Sequence, residues 1–169
     1  IFEDLIFKLR FDKYICVSNY TKNNLRIAYG IDDSKLITIY NWIDYTKWNK
    51  NNYDANEIED IRKKYDLKDS YCWLYFGRPW ISKWLEYYLQ AIPKIKEEID
   101  NFKAILIVPE SDKWRTKYIK NLIKKLGMSD YIIWIPWVSG DKIWNYILAS
   151  NFVIVPSLAE WFGFAAAET

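Results

Sequence analysis

Tyr71-Cys72-Trp73-Leu74-Tyr75-Phe76-Gly77-Arg78-Pro79-Trp80-Ile81-Ser82-Lys83 is the stretch that decides the fold. Its first six residues form an apolar run without polar alternation, the pattern of a strand buried on both faces. Gly77 ends the run, and Ser82 predicts the start of a long helix. The apolar positions Leu85, Tyr88, Leu89, Ile92 and Ile95 follow at helical spacing, with Pro93 as a candidate kink. A buried strand turning through Gly into an amphipathic helix is the first half of a βαβ unit.

Downstream the pattern repeats. Ala104 to Val108 reads as a strand, Trp114 to Leu126 as a helix stopped by Gly127, and Tyr131 to Ile135 as a strand. Ser139 predicts the cap of a helix running to about Ala149, Phe152 to Val155 reads as a strand, and a last helix begins near Phe164. Upstream, Ile58, Ile61 and Tyr65 give a helix beginning near Asp54. Earlier still, Tyr14 to Val17 and Leu36 to Tyr40 are strands on either side of a helix that starts at Ser18 and stops at Gly30. Asn41 to Asn52 is polar and irregular. The expected fold class is α/β: a Rossmann-like parallel sheet with helices on both faces. Two parts are expected, 1–50 and 51–169, with the new unit opening near Asp54.

Composition bounds the chemistry. The chain has 169 residues, 24 Lys and Arg, 22 Asp and Glu and a net charge of +2, which gives no strong pull toward nucleic acid. With no His and only Cys16 and Cys72, neither imidazole catalysis within this chain nor a Cys/His zinc site is expected. No apolar run reaches the roughly 18 residues of a membrane span. Because it begins at Ile1 and ends at Thr169 within an apparent helix start, the chain reads as a fragment of a longer protein.

In parallel sheets, ligands bind beyond the carboxyl ends of the strands. That rim carries Gly77, Arg78, Lys83, Glu110, Ser139 and Glu160. At Gly77 to Lys83 a loop leads into a helix N-terminus, where free N–H groups and the dipole favour an anion. Arg78 offers a bidentate donor and Lys83 a point charge, a combination suited to a diphosphate, although two ordinary surface cations would show the same spacing. The second candidate runs from Pro156 to Glu168. Glu160 and Glu168 are eight residues apart across a loop-to-helix turn, so both carboxylates can lie toward one side and hold sugar or ribose hydroxyls. Phe162-Gly163-Phe164 can present backbone N–H groups between them. A solvated helix with a flexible entry loop is the alternative.

Taken together and in order, these segments resemble the retaining glycosyltransferases of family 4, also called group 1, which have the two-domain GT-B fold. Ile15-Cys16-Val17-Ser18 is similar to a strand ending in Val-Ser near the close of that family's first domain. Asn41-Trp42-Ile43-Asp44 is similar to its Asn-Gly-Val-Asp segment, and Gly77-Arg78 with Lys83 to its diphosphate-binding residues. Trp134-Ile135-Pro136-Trp137-Val138 stands where the family has a strand ending in Gly-Val beside the donor base. Pro156-Ser157 followed by Glu160 and Glu168 fits its E-x7-E motif.

The resemblance implies an incomplete GT-B C-terminal domain preceded by the end of the N-terminal one. It implies transfer of a sugar from a nucleotide-sugar donor to a glycan or lipid acceptor, with retention of configuration. Arg78, Lys83 and Glu160 would be catalytic. Gly77, Val138, Phe162, Gly163, Phe164 and Glu168 would join them in binding the donor. It further implies no cofactor and no metal, because cationic side chains neutralise the diphosphate. Also implied are a cytoplasmic location at the inner membrane face and peripheral membrane association through the absent N-terminal domain. A non-catalytic GT-B relative is the competing reading. A GT-B sugar-nucleotide epimerase is another, against which the Gly-Arg…Lys and E-x7-E pair argues.

Trp42, Trp80, Trp84, Trp137 and Trp161 occupy positions where the resemblance implies Gly. The chain holds only 5 Gly, about 3% against a usual 7%, and 10 Trp. Two explanations follow. Either the donor site is blocked by genuine Trp residues, or the gene's UGA codons specify Gly and have been translated as Trp. The Lys-, Asn-, Ile- and Tyr-rich composition fits the AT-rich genomes in which UGA is reassigned.

Overall fold

The computed structural model describes residues 6, 7, 9, 11–44, 46, 53–158, 160, 163–167 and 169. Two compact units divide the chain: Ile1–Ile43 with Glu160–Phe164, and Asp44–Ala159 with Ala165–Thr169.

In the first unit, β1 (Tyr14–Cys16) pairs in parallel with β2 (Leu36–Thr38), Tyr14 opposite Leu36. The connection is α1 (Asn19–Tyr29). Ser18 caps it by accepting from the Thr21 N–H, and Gly30 closes it in the left-handed region at φ 64°. Cys16, Leu25, Ile31 and Leu36 form its small core, with Phe7, Tyr14 and Tyr29 packed around them. Both strands are shorter than their apolar runs, ending at Cys16 and Thr38.

In the second unit, α2 (Ala55–Lys64) is capped by Asp54 and leads to β3 (Tyr71–Phe76). The order continues α3 (Leu85–Glu98), β4 (Phe102–Ile107), α4 (Lys113–Lys125), β5 (Ile132–Ile135), α5 (Ile143–Ala149) and β6 (Phe152–Val153). A final short helix, α6, spans Phe164–Ala167; Phe164 belongs to the first unit and the rest of the helix to the second. The sheet is wholly parallel, in the order β5-β4-β3-β6.

Alternation along β4 shows why both faces are apolar. Ala104 and Leu106 point to a core shared with Leu85, Leu89 and Ile92 of α3 and Ile119 and Ile123 of α4. Ile105 and Ile107 point the other way, to Leu67 and to Trp144 and Ile147 of α5. Arg62 of α2 fastens that second layer, its guanidinium donating to the carbonyls of Ala149 at 2.6 Å and Leu67 at 2.8 Å.

Two expected helix starts are displaced. The long helix does not begin at Ser82: a 3-10 turn spans Ile81–Lys83, Trp84 sits at φ 48°, ψ 32°, and α3 starts at Leu85. Nor does Ser139 cap α5, which begins after Lys142 without a side-chain cap; the Ser139 hydroxyl bonds Asp141 instead. Pro93 lies inside α3 and does not end it.

Candidate functional site

The order of strands sets where a ligand can enter. From β3 the chain steps outward to β4 and β5, then returns to place β6 on the other side of β3. At such a reversal the loops leaving neighbouring strands diverge, and a crevice opens beyond the carboxyl ends. Here the diverging loops are Gly77–Lys83 after β3 and the segment 154–158 after β6. One bond joins them directly: the Leu158 N–H donates to the Ser82 carbonyl at 2.9 Å.

The Gly77–Lys83 loop is held from three sides. The Gly77 N–H continues the ladder to the Ile107 carbonyl at 3.1 Å, while φ of 150° places Gly77 where a side chain would be strained. The Tyr75 hydroxyl, from the strand itself, donates to the Arg78 carbonyl at 3.1 Å. Arg115 of α4 donates through Nε to the Pro79 carbonyl at 2.6 Å and pairs with Glu86 of α3. Pro79 itself is fully buried. Anchored at 78 and 79, the loop leaves the Arg78 side chain exposed, its guanidinium 4.8 Å from the centre of the Trp80 ring. Lys83 is half-buried in the 3-10 turn.

Of the residues read from the sequence, Gly77, Arg78 and Lys83 thus share one loop at the crevice. Val138 is half-buried two strands away, beyond β5, and packs on the α5 side of the sheet. Glu160, Gly163 and Phe164 fall in the first unit, with Glu160 half-buried, Gly163 at φ 83° and Phe164 exposed. Phe162, Glu168 and Trp161 lie outside the described residues. Beyond β4, Glu110 accepts from the Trp134 indole at 2.9 Å and pairs with Lys120, which holds its carboxyl below the usual carboxylate range.

Sequence reading missed Arg115, Glu86 and Tyr75. Tyr75 and Arg115 act on the loop through its backbone carbonyls, Glu86 acts only by pairing with Arg115, and no motif marks a residue 36 positions away that binds a carbonyl. Among the described residues, no group of three or more His, Cys, Asp or Glu could hold a metal ion. Both cysteines are buried free thiols, and burial pushes each thiol pKa upward.

The sequence pattern of the family described as Glycosyl transferases group 1 matches residues 57–169, two thirds of the chain. The chain belongs to that family. An uncharacterized glycosyltransferase of Methanocaldococcus jannaschii is 27% identical over 154 residues, which is 91% of this chain and 38% of that protein. The crystal structure of a Rickettsia africae glycosyltransferase superposes with a TM-score of 0.76 at 25% identity, over 87% of this chain and 38% of that one. Anabaena HepE in complex with UDP-glucose gives a TM-score of 0.78 at 19% identity, over 93% and 42%. The last likeness shows a shared fold. The group 1 chain described here spans about two fifths of the length of these relatives. Its α/β fold, a parallel sheet with helices on both sides, is that of GT-B glycosyltransferases.

Proposed function

We propose that this group 1 chain supplies the donor-binding half of an enzyme that transfers a sugar from a nucleotide-sugar donor to a glycan or lipid acceptor, with retention of configuration. The observation that carries the reading is the Gly77–Lys83 loop. It leaves β3 beside the strand-order reversal and presents Arg78 from a backbone fixed by Tyr75 and Arg115. UDP-glucose in the HepE structure supports the donor class.

In this reading Arg78 and Lys83 are the catalytic cations. They neutralise the donor diphosphate and stabilise the leaving nucleotide as charge develops on it. Glu160, with the backbone of Phe162, Gly163 and Phe164, receives the donor sugar. Glu168 holds the ribose hydroxyls, and Val138 borders the base. The reaction requires no metal cofactor, since the two cations do that work. The enzyme works in the cytoplasm, at the inner face of the membrane.

A second reading, a group 1 relative that does not bind donor, is favoured by one contact. The Trp80 ring lies against the Arg78 guanidinium and competes with a phosphate for it.

Calorimetric titration with UDP, GDP and ADP separates the two. The chain as written and a variant with Gly at positions 42, 80, 84, 137 and 161 are compared. The donor-binding reading expects a nucleoside diphosphate to bind the Gly variant. Arg78→Ala in that background should weaken binding by roughly 10- to 100-fold, as befits a lost charge-assisted pair. Failure of the Gly variant to bind would count against the donor-binding reading, and binding by the Gly variant but not by the Trp-containing chain would support the second reading for the chain with Trp80 against Arg78. Retention is tested on the full-length enzyme, by the anomeric proton coupling of its product.

A further inference from the structure

Helix α4 has a face that neither the core nor the candidate site uses. Its 13 residues, Lys-Trp-Arg-Thr-Lys-Tyr-Ile-Lys-Asn-Leu-Ile-Lys-Lys, contain six of the chain's 24 cationic side chains and none of its 22 acidic ones. The rest of the chain is therefore net negative, and the positive charge is local. Thr116, Ile119 and Ile123 turn inward to the core. About a quarter-turn round the helix from them, four and seven residues apart, stand Lys113, Lys117 and Lys124, all exposed. Beside them are Trp114 at 86% exposure, Tyr118 at 52% and exposed Lys125. None of these four lysines makes an ion pair among the described residues. The helix's other two cations are engaged, Arg115 with Glu86 and Lys120 with Glu110.

Resting on the reading that the enzyme works at the inner face of the membrane, we propose that this face of α4 docks the protein onto an anionic lipid surface. The charge complementarity is direct: four lysines without ion pairs among the described residues stand on the exposed side of one helix, and Glu110, the carboxylate beside them, is already paired to Lys120, so the face keeps a net positive charge to match a plane of phosphate headgroups. The aromatic edge decides between lipid and nucleic acid. An indole left 86% exposed is costly in water, and it is stable at a headgroup boundary, where the ring meets acyl chains and its N–H stays wet. Lysine is also the fitting cation. It acts as a point charge on a flexible stem, whereas base and phosphate recognition in nucleic acid favours the planar fork of Arg. The single Arg of α4 is committed to Pro79 and Glu86. Docking through α4 would hold the carboxyl-end rim of the sheet at a fixed distance from the bilayer, whatever the donor.

Co-sedimentation with phosphatidylcholine vesicles, with and without phosphatidylglycerol, tests the proposal. Binding is expected only to the anionic vesicles, and it should fall with added salt. Each lysine contributes about 5-fold, so joint Lys113→Gln, Lys117→Gln, Lys124→Gln and Lys125→Gln should weaken partitioning by several hundred-fold. The corresponding four Lys→Arg changes should preserve it. Trp114→Ala should weaken binding by about 10-fold without altering its salt dependence. These positions are exposed, and an unchanged circular dichroism spectrum checks that each variant folds. Binding that the four Gln changes leave intact overturns the proposal, as does failure to bind anionic vesicles. Tighter binding to duplex DNA than to the vesicles, with Trp114 dispensable, would assign the face to nucleic acid instead.

Discussion

The Leu158 N–H donates to the Ser82 carbonyl at 2.9 Å, and this bond ties the loop after β6 to the loop after β3. It spans the point where the strand order reverses, so it fixes the spacing of the two loops that border the crevice. The Leu158 side chain is exposed and contributes little. Leu158→Ala should therefore stay within about 0.5 kcal/mol of the parent. Leu158→Pro deletes the donor and should cost about 1 kcal/mol or more. Urea unfolding of the two variants measures the difference, and equal stabilities would mean the bond carries no weight.

Trp84 occupies the left-handed region at φ 48°, where a side chain costs roughly 1–2 kcal/mol. Its stack on Tyr87, with ring centroids 4.2 Å apart, returns part of that. Comparing Trp84→Ala with Trp84→Gly removes the ring from both. Gly should be the more stable by about 1 kcal/mol, the reverse of the usual helix ranking. Intact mass spectrometry of the protein from its own cells bears on the same position. If UGA specifies Gly in that genome, the protein is lighter by one Trp–Gly mass difference at each such codon.

Arg115 joins Glu86 to the Pro79 carbonyl, with both charged side chains mostly buried at 19% and 15% exposure. Arg115→Ala strands a carboxylate and a carbonyl together and should cost about 2–3 kcal/mol. Arg115→Lys should recover only part of this, since a point charge cannot serve both acceptors as the fork does. Thermal unfolding of the two variants distinguishes them.

Tyr88 is 5% exposed, and its hydroxyl has no hydrogen-bond partner among the described residues; burial pushes its pKa well above the usual phenol range. Tyr88→Phe removes an unsatisfied buried donor and keeps the ring against Trp73. Stability should rise by about 1 kcal/mol in denaturant unfolding. A loss of similar size would show that the hydroxyl is satisfied in solution.

Burial and a hydrogen bond to Tyr65 push the Tyr146 phenol from 10.0 up to about 12. A raised pKa favours the folded state while the group is protonated. That contribution is whole below pH 10 and is lost as pH rises through about 12. Stability should fall across this window, and Tyr146→Phe should flatten the fall. An identical pH profile for both proteins would remove Tyr146 as the cause.

Much of the fold was legible because its signals are local. Apolar runs such as Tyr71–Phe76 mark buried strands by burial alone, and Ser18 and Asp54 cap their helices through bonds to residues two or three positions on. The start of α3 was not legible. Ser82 is a sound cap by type, but its carbonyl is engaged by Leu158 and the chain passes through a 3-10 turn first. Ser139 failed similarly, since its hydroxyl found Asp141. Side chains that choose between local and distant partners cannot be read from spacing.

The sequence by itself determined a parallel α/β unit and the presence of Gly77, Arg78 and Lys83 on one strand-to-helix loop, because strand burial and turn chemistry act over a few residues. Only the tertiary structure decided that β6 returns to the far side of β3. The same holds for Arg115, which reaches across from α4 to hold Pro79, and for the lysines of α4, which gather on an outward face beside Trp114. Those facts depend on which elements pack together, and packing is settled by the summed burial of residues far apart in the chain.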